Sequence, residues 1–191
     1  MLGSNLVLQA AGGNSRFLYD LFMTDIVRAL VGAARSKERT VLILGSYERG
    51  GDRLKGIRRS LEDVGFEGVM LKDFVDIPQQ SLFEKMLMFG SLARFIICDE
   101  SAASGHLIEL KACSDIGFVT AILRNQGKPV TWMNSDIAAE RTYLKIFSYE
   151  DDSDMTVLVK EAAGWADKKV GERSNYYNEQ YPWRNKNARL A

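Results

Sequence analysis

One stretch decides the fold, Phe95–Leu110, which reads FIICDESAASGHLIEL. Its first four residues are apolar, the pattern of a strand buried on both faces of a parallel sheet. A loop of small and acidic residues follows, and the spacing of the apolar residues after it predicts a helix over Gly105–Asp115. A buried strand followed by a short loop and a helix is typical of a βαβ unit.

The same alternation recurs along the chain. Further strands are predicted over Thr40–Gly45, Val69–Leu71, Phe118–Leu123 and Tyr143–Tyr149, and further helices over Leu54–Val64, Ser81–Phe89 and Met155–Lys168. Strands that alternate with helices predict an α/β fold, and right-handed crossovers leave few topologies. We expect a flavodoxin-like three-layer sandwich with a five-stranded parallel sheet in the order 2-1-3-4-5. Ligands bind such sheets beyond the carboxyl ends of the strands.

Two segments flank the predicted α/β domain, which spans residues 39–168. Residues 1–38 read as a helical extension, because apolar residues recur at helical spacing over Ser15–Arg35. Residues 169–191 read as a basic tail with interleaved Tyr and Trp residues. Neither segment is needed for a five-stranded core, so we expect them to support a homo-oligomer.

Composition excludes several classes of protein. The chain has 191 residues, with 25 Lys and Arg, 25 Asp and Glu, one His and two Cys. The balanced charge gives no overall attraction to nucleic acid or to an anionic membrane. One His excludes a multi-histidine metal centre, and we expect no metal site. With two Cys, no membrane span and no signal segment in the pattern, we expect a cytoplasmic protein.

The loop after the first predicted strand is rich in glycine. Gly45, Ser46, Tyr47 and Arg49 lie between that strand and the next helix, where free N–H groups and an Arg side chain can contact a phosphate or a ribose. The loop matches neither the Walker motif nor the dinucleotide-binding fingerprint. A plain flexible turn is an equal interpretation of these residues.

A carboxylate in an unexpected position is the best candidate for chemistry. On a helical wheel, Glu109 falls on the sheet-facing arc between Cys113 and Ile116, where a charge is costly unless it is paired or lines a cavity. We favour a catalytic Glu109 over a structural one. A metal site formed by His106, Glu109 and Cys113, and a nucleophilic Cys113 with His106 as its base, are weaker alternatives.

These residues resemble those of the TIR domain (Toll/interleukin-1 receptor) and nucleoside deoxyribosyltransferase superfamily. The resemblance covers about Arg39–Glu150 and rests on short motifs, which are Ser104-Gly105-x-x-x-Glu109-Leu110, Gly45-Ser46-Tyr47, Gly65-Phe66, Asp73 and Ser91–Ile97. It implies that Glu109 attacks or stabilises the anomeric carbon of a nucleoside or NAD. It also implies base and ribose contacts from Ser46, Tyr47, Asp73, Asp99, Ser101 and Ser104, and we add the neighbouring Gly105 and His106 to this set. The usual Trp before the catalytic helix is absent, and Ala103-Ser104-Gly105 stands there instead.

We therefore expect an N-glycosidase or transferase acting on NAD or a related nucleoside or nucleotide, without a further cofactor. One carboxylate can stabilise or trap the oxocarbenium-like state of such a reaction. A non-catalytic nucleotide-sensing or assembly domain on the same fold is the alternative. Nucleic-acid binding through the tail ranks third.

Overall fold

The structure, a computed structural model, describes residues 32–101, 107–127 and 132–183. The chain divides into two compact units, Met1–Ser36 and Lys37–Ala191. Most of the predicted N-terminal extension lies outside the described residues, although residues 32–37 are helical. The α/β domain lies in the second unit. In the part of the chain that is described, no helix is both long and apolar enough to span a membrane.

Five strands form one parallel sheet in the order β2-β1-β3-β4-β5, which confirms the predicted topology. The strands are β1 Thr40–Leu44, β2 Glu67–Met70, β3 Phe95–Asp99, β4 Thr120–Asn125 and β5 Leu144–Tyr149. The central strands are continuous apolar runs, and every residue of β3 is buried. A strand covered on both faces requires this composition.

Helices cover both faces of the sheet. They are α1 Asp52–Glu62, α2 Leu82–Leu92, α3 Leu107–Ile116, α4 Trp132–Glu140 and α5 Met155–Gln180, with short 3-10 turns at Glu48–Gly51, Leu71–Asp73 and Asp152–Asp154. One core cluster joins the sheet to α1 and α5. The other joins it to α2, α3 and α4. The result is the three-layer sandwich expected from the sequence.

Helices α4 and α5 differ from the prediction in their presence or length. Helix α4 was not predicted, because its large apolar residues Trp132 and Met133 are exposed while the polar Asn134 is fully buried. Helix α5 continues to Gln180, so much of the predicted tail is helical. Tyr177 and Tyr181 stack one turn apart at its end, with ring centroids 6.2 Å apart.

Candidate functional site

A cleft of about 640 Å³ opens at the carboxyl end of β1, between α2 and α3. Its position agrees with the general rule that ligands of open α/β sheets bind beyond the carboxyl ends of the strands. Apolar side chains form much of its wall. Its polar side chains are Ser46, Tyr47, Lys72, Asp76, Lys85 and Glu109. The cleft therefore brings together the β1 loop and the glutamate that the sequence analysis singled out.

Glu109 is half-buried in the first turn of α3, where the helix dipole favours a carboxylate. Leu110 and Cys113 are fully buried and hold the inner face of α3 against the sheet. Burial raises the pKa of the Cys113 thiol to about 12, and the nearby charge of Glu109 adds to that rise. Burial likewise raises the pKa of Cys98 well above its usual value. Both thiols are therefore protonated packing groups, and a nucleophilic Cys113 is not favoured.

The β1 loop packs closely against α1 and β3 because Gly45 has no side chain. A Cβ atom at this position would lie 2.5 Å from Cδ2 of Leu54 and 3.2 Å from Cβ of Asp99. Ser46 Oγ accepts a hydrogen bond from the backbone N–H of Glu48, at 3.2 Å, which shapes the turn. Only glycine leaves room for this packing of the loop against α1 and β3.

Tyr47 follows on the same loop and lies under the ammonium group of Lys72, 5.0 Å from the ring centroid. Partial burial raises the pKa of the Tyr47 hydroxyl, so the phenol stays neutral and can donate a hydrogen bond. A phenol and a cation together can contact the polar groups of a ligand at the rim of the cleft.

Lys85 is a residue of the cleft that sequence reasoning missed. It is only 3% exposed, and Nζ donates to the backbone carbonyl of Phe74 and to Oδ1 of Asp76, both at 2.7 Å. A lone cation within the apolar run of α2 is the same kind of signal as the lone carboxylate of Glu109 on α3. It could have been recognised from the sequence in the same way.

Asp99 and Ser101 do not line this cleft. Asp99 is 1% exposed, and its Oδ2 atom lies 2.8 Å from Nε of Arg53 on α1. Ser101 Oγ donates to the same carboxylate oxygen at 2.7 Å. The pair therefore faces the α1 side of the sheet, away from Glu109. These contacts give both predicted ligand-binding residues a structural role.

Asp73 also has structural partners and lies outside the cleft lining. Its Oδ2 atom accepts a hydrogen bond from the backbone N–H of Met70 at 2.9 Å. The same oxygen pairs with Nη2 of Arg58. Asp73 thus closes the turn that follows β2.

The remaining predicted site residues are not described in enough detail to place their side chains. Ser104, Gly105 and His106 lie outside the described residues, and of Arg49 only the backbone is described. Over residues 32–101, 107–127 and 132–183, no group of three or more His, Cys, Asp or Glu side chains could hold a metal ion.

A second buried polar network lies on the opposite side of β3 from Asp99. Glu100 is 5% exposed. Its Oε2 atom accepts from Nε of Arg124, and its Oε1 atom from Nδ2 of Asn134, both at 2.6 Å. Arg124 also donates to Oγ of Ser135 at 2.9 Å. This network ties the ends of β3 and β4 to α4.

No protein-family model matches the chain. Curated relatives include proteins from three strains of Cereibacter sphaeroides, each named probable 5-dehydro-4-deoxyglucarate dehydratase. Each is 27% identical over 157 residues, which covers 70% of this chain and 50% of the relative. The chain thus spans about half the length of these relatives. Their names do not mention TIR domains or deoxyribosyltransferases, so that resemblance stays a prediction.

Proposed function

We propose that this protein cleaves the N-glycosidic bond of NAD or of a related nucleoside or nucleotide, and passes the sugar to water or to another base. Glu109 is the proposed catalytic residue. The observation that carries the proposal is the half-buried Glu109 carboxylate in a cleft at the carboxyl end of the parallel sheet. A ligand in this cleft meets an apolar wall, a carboxylate and several polar donors. Sites for small molecules commonly have this composition.

The reaction requires little more than one carboxylate. The bond between the anomeric carbon and the base nitrogen breaks, and the electron pair leaves with the base. With NAD, the positively charged nicotinamide departs as a neutral molecule and needs no general acid. Glu109 stabilises the oxocarbenium-like carbon or bonds to it, and water or a second base then adds to that carbon. The O–H proton of the water, or the N–H proton of the second base, passes to a carboxylate or to solvent, and any bond to Glu109 breaks as this nucleophile adds. With a neutral nucleoside, the departing base takes up a proton from solvent.

Neighbouring residues have separate roles in this proposal. We assign hydrogen bonds with the sugar or the base to the neutral phenol of Tyr47 and the hydroxyl of Ser46, which both line the cleft. Lys72, which lies over the Tyr47 ring, supplies a cation for a phosphate group. Lys85 is held by Phe74 and Asp76, so it fixes the wall opposite Glu109.

The curated relatives suggest dehydration of a keto sugar acid as a second candidate, and buried Lys85 is the observation that favours it. A lysine amine in a cleft can form a Schiff base with a carbonyl substrate. In this cleft, however, the Lys85 ammonium is paired with Asp76 at 2.7 Å and also bonds to a carbonyl. The glycosidic reaction therefore ranks first.

The test is incubation of the full chain with NAD, nucleosides, nucleotides and 5-dehydro-4-deoxyglucarate, with products separated by chromatography. We expect release of nicotinamide or free base by the wild type. Glu109→Gln should lower that rate at least about 100-fold, the order of effect of removing one group that stabilises a transition state. Glu140→Gln, at an exposed position on α4, is the matched control and should retain the wild-type rate.

Three other outcomes would argue against a catalytic Glu109. Equal rates for wild type and Glu109→Gln on every substrate would refute a catalytic Glu109. Ligand-dependent thermal stabilisation without turnover would favour the nucleotide-sensing alternative. Consumption of the keto sugar acid that is lost in Lys85→Met but kept in Glu109→Gln would favour the dehydratase candidate.

A further inference from the structure

The outer face of α3 is apolar and faces solvent. Ile108, Ala112 and Ile116 recur every four residues along it, and the two isoleucines are 70% and 51% exposed. The helical wheel placed Ile116 on the buried arc, and this expectation is wrong. Leu110 and Cys113 are buried as expected, whereas Ser114 and not Ile116 completes the buried face of α3.

An apolar groove of about 600 Å³ continues this face between α2, α3 and α4. Phe83 on α2 and Met133 on α4 line it and are 42% and 57% exposed. Trp132, next to Met133, is 82% exposed. A large exposed apolar patch with charged neighbours usually marks an interaction surface.

The charges on this face complement each other. Lys111 and Asp115 lie one turn apart on α3, with Nζ 2.6 Å from Oδ2, and both side chains are more than half exposed. If two α3 helices pack antiparallel, the small Ala112 of each lies at the centre and each Ile108 lies near the other's Ile116. Each Lys111 then approaches the other chain's Asp115. A helix face of this kind fits its own copy through a twofold axis.

We propose that the α2–α3–α4 face forms a homodimer through antiparallel contact of α3 with α3 of a second copy. The partner is a second copy because Lys111 and Asp115 of one chain can pair with Asp115 and Lys111 of the other. The surrounding isoleucines, Phe83 and Met133 supply an apolar centre. Homodimer interfaces combine such an apolar core with complementary charges at the rim. This surface belongs to neither of the terminal segments that the sequence predicted for oligomerisation.

The proposed interface adjoins the candidate cleft. Phe83 and Ile108 line both the groove and the cleft, and Ile108 directly precedes Glu109. A second copy seated on α3 therefore covers one side of the cleft mouth. The dimer does not depend on the proposed reaction, since its evidence is the composition and charge of the face.

The first experiment measures mass by light scattering and sedimentation over a range of concentrations. We expect a dimer for the wild-type chain of 191 residues. Ile108→Asp should raise the dissociation constant at least about tenfold, the effect of losing one buried interface side chain. Val157→Asp on α5 is the matched control, since Val157 is 71% exposed, and it should leave the dimer intact. A wild type that stays monomeric at all concentrations overturns the proposal.

Exchanging the charges of Lys111 and Asp115 tests whether the partner is a second copy of this chain. Lys111→Glu and Asp115→Lys should each weaken the dimer, because each places like charges across the axis. The double variant K111E/D115K should restore it. An equimolar mixture of the two single variants should form heterodimers. A dimer that is unaffected by either single variant, with near-UV circular dichroism confirming the fold, overturns the proposal.

Discussion

Replacing Asp99 by Asn tests whether this carboxylate is structural. Asp99 is almost completely buried, and Arg53, its partner at 2.8 Å, is 19% exposed in its side chain. Removing one partner of a buried ion pair typically costs about 3–5 kcal/mol. Asn keeps the shape of the side chain and can still accept from Ser101, so we expect the lower end, a loss of about 3 kcal/mol.

The assay is urea denaturation followed by circular dichroism at neutral pH. With a slope of about 2 kcal/mol per molar, a loss of this size lowers the unfolding midpoint by about 1.5 M. Arg53→Met removes the other partner and should also destabilise, partly because Arg53 lies 5.1 Å from the Tyr149 ring centroid. The double variant should cost less than the sum of the two single variants, since each single variant leaves one charge without its partner and the double variant leaves neither charge.

If the free energy of unfolding of Asp99→Asn lies within about 0.5 kcal/mol of the wild-type value, the Asp99–Arg53 pair contributes no more than a surface contact. If the variant also raises the KM for a substrate while keeping full stability, then Asp99 contacts ligand, as the family resemblance implied.

Three further results are expected. Cys98 and Cys113 should both resist a disulfide reagent in the folded protein at mildly alkaline pH and react once urea unfolds it, because burial raises both thiol pKa values; rapid labelling of native protein would contradict this. Gly56→Ala should stabilise α1 by up to about 1 kcal/mol, since nothing lies within 4 Å of the new methyl group. Gly68→Ala should destabilise the protein, because its Cβ would lie 2.9 Å from an isoleucine methyl group on β1. Thermal melts should therefore show a higher melting temperature for the first variant and a lower one for the second. Ser81→Ala should cost about 1 kcal/mol by removing the N-cap of α2, and an unchanged melting curve would show that the cap is dispensable.

The topology could be predicted because the central strands are continuous apolar runs separated by helical patterns. Val41 to Leu44 of β1 are all buried, as such a run requires. Helix α4 could not be predicted because its pattern is inverted. Its exposed Trp132 faces outward, while its buried Asn134 satisfies Glu100 of another element. Only the tertiary contact explains that arrangement.

The part of the candidate site that could be predicted from the sequence is a charged residue among the apolar residues of a helix. Glu109 is a lone carboxylate beside the apolar residues of α3, which singled it out in the sequence, and the structure places it at the cleft, beside the face that packs on the sheet. Asp99 and Asp73 were less predictable, since their partners Arg53 and Arg58 lie far away in the sequence. Carboxylates that follow strands look alike until such long-range pairs are known.

The two consecutive carboxylates at the end of β3 also guard against mispairing during folding. Asp99 reaches Arg53 on one face of the sheet, and Glu100 reaches Arg124 on the other. Successive strand residues point to opposite faces, so slippage of β3 by one residue would send each carboxylate to the wrong side. Both would then be buried without their partner cations, at a cost of several kcal/mol each. The other residues of β3 are apolar on both faces, so these two charges add to the preference for the native alignment.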